Sequence, residues 1–119
     1  MKSLRIALGA ALLASGAAAS AQTATDARCV LLSSAYAKQN QDANAQKVAE
    51  ASYFFYLGRI APGATAAQLK ALFDEQAKGI TDANAGGLMN SCAKEFQAKV
   101  EMINNLGGPP PAASTPPKK

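Results

Sequence analysis

Cys29 and Cys92 carry the clearest chemistry in this 119-residue chain, and they are its only cysteines. In a reducing compartment they would be free thiols. In an oxidising one they would join, and two cysteines allow one intramolecular pairing. The chain has no histidine. That removes the commonest general base and metal ligand at neutral pH. A serine, cysteine or lysine nucleophile needs a partner base, and no spacing here supplies one. There is no Cys-x-x-Cys-His, no phosphate loop and no glycine-rich dinucleotide fingerprint. Carboxylates are the remaining candidates. Asp74 and Glu75 are adjacent, so on a helix they diverge by about 100° and cannot easily share a substrate. Glu95 and Lys99 form an i,i+4 pair in the stabilising order, and Glu101 lies on the polar side of the same segment. These residues read as solvated helix faces. The chain reads as non-catalytic, with no cofactor and no metal.

Binding is the chemistry that remains. Tyr53-Phe54-Phe55-Tyr56-Leu57 holds four of the chain's seven aromatics. Five consecutive bulky residues surround a helix completely. Such a helix is central to a bundle, or it shows one aromatic edge to a partner. Tyr53, Phe54 and Tyr56 are the candidate partner-binding residues, because a tyrosine packs an apolar ring while its hydroxyl reaches water. Arg59 stands beside them. It could hold an anionic group at a pocket edge, sit as a cation at a helix C-terminus, or stack on an aromatic ring.

The N-terminus decides which cysteine chemistry applies. Met1-Lys2-Ser3-Leu4-Arg5 is a short cationic start, Ile6 to Ala14 is apolar, and Ala19-Ser20-Ala21 is a small-x-small cleavage site. Residues 1–21 therefore read as a secretory signal peptide, too short to anchor in a membrane. Cleavage leaves 98 of the 119 residues, one domain at most. The expected location is the periplasm, with the extracellular medium as the alternative. There the cysteines are expected to pair with each other, the alternatives being free buried thiols or bridges to other chains. The bridge closes a loop of about 60 residues and contributes roughly 4 kcal/mol in the chain-entropy model. A core this small needs such help.

Charge narrows the partners. Lys2, Arg5, Lys118 and Lys119 lie at the ends, which leaves eight basic residues against eight acidic ones in the body. The body is formally neutral, without a basic run. Nucleic acid is excluded as an expected partner, and so is membrane insertion after cleavage.

The elements that position these residues read as all-α, a small four-helix bundle closed by one disulfide. Helix one spans about Asp26–Gln39, with Cys29, Leu32, Ala35 and Tyr36 on one face. Asn40-Gln41-Asp42 reads as a break with Asp42 as the cap of helix two, about Ala43–Ile60, which ends at Ala61-Pro62-Gly63; the alternative is one longer bent helix through the break. Thr65-Ala66-Ala67-Gln68 matches a capping box for helix three. Leu69, Leu72, Phe73 and Gln76 share a side of it, and Gly79 stands at its C′ position. Helix four is capped by Thr81 or Asp82, or begins only after Gly86-Gly87, where frayed or non-helical backbone is expected. Its apolar stripe is Met89, Cys92, Phe96, Val100 and Ile103, and Leu106-Gly107 closes it. The domain thus covers residues 22–107. Residues 108–119 form a Pro/Lys tail expected to be solvated, disordered and partly polyproline II.

A signal peptide, a short mature chain, an all-helical body and a bridge from Cys29 to Cys92 resemble the HdeA-type acid-stress chaperones of the periplasm. They are also similar to small uncharacterised periplasmic proteins of proteobacteria. The resemblance implies a homodimer that opens in acid and binds unfolding clients through its apolar surface. Without histidine, such a switch falls to the carboxylates, near pH 3–5. The expected function is a non-catalytic, protein-binding or chaperone-like domain of the envelope. The alternatives are an inhibitor or immunity-type module for one envelope protein or toxin, and a small-ligand carrier. The carrier reading predicts a pocket lined by Phe55, Phe73, Met89 and Phe96.

Overall fold

The computed structural model describes the backbone of residues 14–108 and the side chains from Ser20 onward. Four helices follow one another, α1 (Ala14–Gln39), α2 (Ala43–Ile60), α3 (Ala66–Ala77) and α4 (Asp82–Asn105). No strand occurs among the described residues. The first 13 residues of the expected leader and residues 109–119 of the expected tail lie outside them.

Local chemistry sets each boundary. Asn40 Oδ1 accepts from the Asp42 amide, and the Asp42 side chain accepts from the Ala45 amide. The chain therefore turns at Asn40 and α2 starts with a satisfied cap. After α2, Pro62 cannot continue a helix. Gly63 takes φ of +79°, a left-handed conformation that favours glycine. Thr65 and Gln68 form the expected capping box. A second box joins Thr81 and Asn84 at the start of α4. From that cap α4 runs unbroken through Gly86-Gly87. The expected fraying there does not occur, because a capped start and the half-buried Ala85, Leu88 and Met89 hold the segment helical. Gly79 stands at C′ of α3 as expected but does not enter the left-handed region.

The central element is α1, which packs against the three other helices, while α3 packs on α1 alone. The α1 stripe at the core is Asp26, Ala27, Cys29, Val30, Leu32 and Ser33. Ala35 and Tyr36, expected on that face, are exposed. Beyond Ser33 no residue of α1 is fully buried, and only Ser34 and Ala37 remain half-buried. The core joins these residues to Ala49, Tyr56 and Ile60 of α2 and Cys92 of α4. Leu69, Leu72 and Phe73 of α3, expected on one side of that helix, pack against the core half-buried. Ser33 and Ser52 are both buried and hydrogen-bond to each other at 3.0 Å, so neither hydroxyl is left unsatisfied.

The Cys29–Cys92 disulfide forms, with Cα atoms 5.6 Å apart and 63 residues of separation. It fastens α4 to α1, and α2 and α3 lie within the loop it closes. From Gln97 onward every described residue is exposed. The last third of α4 thus leaves the body, and Val100 and Ile103 of its expected core stripe face solvent at 39% and 59% exposure.

Candidate functional site

The aromatic block of α2 is divided by the helical turn. Tyr56 is fully buried, and Phe55 is half-buried against Phe96, with ring centroids 5.5 Å apart. Tyr53 is half-buried, and Phe54 is 67% exposed. Tyr53 and Phe54 meet edge to face at 5.1 Å, a favoured aromatic geometry that fixes both rings. Beside them lies a cleft of about 410 Å³ between α1 and α2, lined by Ser34, Ala37, Lys38, Glu50, Tyr53 and Phe54. It carries one charge of each sign and two aromatic rings. That is the make-up of a surface able to grip a protein segment.

The inner half of the block has another partner set. The Tyr56 hydroxyl donates to the carbonyl of Cys92 at 2.6 Å and lies 3.5 Å from Glu95 Oε2. Arg59 Nε meets Asp26 Oδ2 at 3.0 Å, and Arg59 Nη1 meets Glu95 Oε1 at 2.7 Å. Its guanidinium also lies 5.3 Å from the Phe55 ring centroid and 5.8 Å from that of Tyr56. Arg59 therefore joins α1 to α4 through α2, next to the disulfide. Of its expected roles, two are realised: it is a cation in the last turn of α2 and it stacks on aromatic rings. Both carboxylates engage its charge, so it is not offered to an outside anion. Glu95, expected as a surface partner of Lys99, turns to Arg59 instead.

Burial shapes the titration of this cluster. Asp26 is held above its ordinary value, first because burial disfavours its charge and further because Glu95 is near. Hydrogen bonds from Gln22 and Arg59, with the Arg59 charge, only partly offset this. Burial, followed by Glu95, pushes the Tyr56 hydroxyl well above its usual range, so it remains a donor. Away from the cluster, Asp74 pairs with Lys70 and Glu75 with Lys78 on open helix faces. Glu75 is lowered by its hydrogen bond to Lys78. Asp74 and Glu75 thus lie on the solvated helix faces expected for them.

Comparison with protein-family models, curated proteins and solved structures gives no match. The site must therefore be read from its own geometry. The structure brings Tyr53 and Phe54 together at the surface, buries Tyr56, and sets the partly exposed Arg59 over it. Of the four residues expected around a ligand pocket, Phe55 and Phe96 fill the space between them with their own rings. Met89 lines a different groove with Tyr36. No group of three or more metal-ligating side chains occurs among the described residues, and no described helix is long and apolar enough to cross a membrane. Spacing did not single out Asp26. It falls three residues before Cys29 and seven before Ser33, on one helical stripe with both. A charge on a core stripe was the signal.

Proposed function

We propose that this chain is an exported, non-catalytic helical domain of the periplasm that binds one protein partner through the Tyr53–Phe54 face. One observation carries the reading. Phe54 stands 67% exposed at the lip of a 410 Å³ cleft, pinned by Tyr53 and flanked by Lys38 and Glu50. A fixed aromatic loses little entropy on binding and buries a large apolar area, which is how a few residues come to dominate an interface. The partner segment suited to this cleft is apolar at its centre and carries charge of both signs at its rim.

Export supports the reading from a second side. A disulfide together with the absence of a membrane-length described helix is consistent with an exported soluble protein. The leader expected at residues 1–21 supplies the route.

The test replaces Phe54 with a photo-crosslinking amino acid in cells and identifies what is captured. The expected result is one stoichiometric adduct at neutral pH, lost on Tyr53→Ser. A crosslinking pattern no different from that of a label at Lys70, on the far open face of α3, would overturn the reading. An opening in acid, as the chaperone resemblance implies, finds no support from Asp26, whose raised value favours the folded state as pH falls.

A further inference from the structure

Export changes the chemistry of one residue. Cleavage at the Ala19-Ser20-Ala21 site makes Gln22 the first residue of the mature chain. A glutamine in that place carries a free α-amine and a side-chain amide within one residue. Joining them closes a five-membered lactam, and the two groups need no encounter to meet. Gln22 is exposed, as are Ser20, Ala21, Thr23 and Thr25. The first fully buried residue among those described is Asp26. Gln22 Nε2 donates to Asp26 Oδ1 at 2.8 Å, while Arg59 Nε meets the other carboxylate oxygen at 3.0 Å. The segment is helical there. Cleavage would thus leave an ammonium at the positive end of the α1 dipole, where a cation is disfavoured.

We propose that Gln22 is a modification site, closing to pyroglutamate once cleavage frees its amine. The inference rests on the export reading, since only removal of residues 1–21 supplies that amine. The amine nitrogen attacks the side-chain Cδ. The new N–Cδ bond forms, the Cδ–Nε2 bond breaks, and a proton from the amine departs with Nε2 as ammonia. Nothing is oxidised or reduced, and no co-reactant is consumed. Nε2 is the atom that Asp26 holds, so closure ends that hydrogen bond and leaves Asp26 with Arg59. The ring is uncharged, which removes the cation from the start of the helix. It also leaves no free amine for an aminopeptidase to grip. That protection matters because only residues 22–25 separate the new end from Asp26. Trimming one residue further would take the buried carboxylate away from Arg59.

The test opens native cells directly into a reagent that labels primary amines and reads the tryptic peptide of residues 22–28 by mass spectrometry. This peptide holds no lysine, so label on it reports the α-amine alone. The expected result is an unlabelled peptide lighter by one ammonia. Gln22→Asn has a side chain one carbon shorter and would need a strained four-membered ring. It should give a labelled peptide of full mass, with the helical circular dichroism unchanged. The purified unaltered protein should resist an aminopeptidase that shortens the Gln22→Asn chain. Should that variant not be exported, the peptide from the unaltered chain still decides. A labelled peptide that begins at an intact Gln22, or a first residue other than Gln22, overturns the proposal and leaves export standing. A lactam that appears only on storage, with the fresh chain labelled, overturns it as well. A chain that retains Met1 overturns both.

Discussion

At Tyr56 the ring and the hydroxyl do separate things. The ring is fully buried against the core, while the hydroxyl donates to the Cys92 carbonyl. Tyr56→Phe keeps the packing and removes the donor, and should cost about 1 kcal/mol in equilibrium unfolding. Arg59→Met leaves Asp26 buried without its cation. The expected loss is about 1–3 kcal/mol, less than for a fully buried pair because Arg59 is 30% exposed. Asp26 has a distinct pH signature. Its folded value lies above its ordinary 3.8, so the folded state binds a proton more tightly than the unfolded state. Stability from this group therefore rises as pH falls through the raised value toward 3.8. The unfolding free energy of the unaltered chain minus that of Asp26→Asn should rise as pH falls from 7 to 4. A signed difference that falls instead would mark Asp26 as an acid-labile carboxylate. This residue also shows where sequence reading stopped. Asp26 has the residue type of a helix cap, and helix one was expected to begin there. It is an interior residue because α1 is already helical through residues 22–25 ahead of it. No local pattern specifies Arg59 as its partner 33 positions on.

At the scale of elements, side-chain capping explains what was legible. Asp42 and the Thr65-x-x-Gln68 box are local chemistry, so both caps were legible, although the break at Asn40-Gln41-Asp42 also allowed one longer bent helix. The box at Thr81 uses Asn84 in place of the usual Glu or Gln, and so escaped the pattern. Its presence explains why two glycines fail to break α4. Thr81→Ala should cost about 1 kcal/mol and fray the first turn, seen as faster amide exchange at Asn84 and Ala85. Gly87 lies on open helix surface, where an added Cβ meets nothing within 4 Å. Gly87→Ala should therefore stabilise the chain by roughly 0.5–1 kcal/mol in denaturant unfolding. The period of α4 was legible, but its extent of burial was not. Helical spacing places Val100 and Ile103 on the stripe of Met89 and Phe96, and only the length of the neighbouring helices decides that they overhang.

Over the whole molecule, the Cys29–Cys92 bond and the Arg59 cluster lie side by side and fasten α4 to the rest. The core between them is small, and its largest fully buried side chain is Tyr56. A domain built this way depends on its covalent tie. Replacing both cysteines by alanine should lower stability by about 4 kcal/mol. The four-helix order and the pairing were legible, since two cysteines allow one intramolecular bridge. The central position of α1 was not, because the aromatic block of α2 drew attention as the densest apolar segment. Everything proposed for function rests on export and oxidation. The most direct test is the intact mass of the protein from native cells, taken before and after thiol alkylation. The predicted result is a chain beginning at Gln22 with no alkylated cysteine. A folded chain that retains Met1 and takes up label on both Cys29 and Cys92 would contradict it.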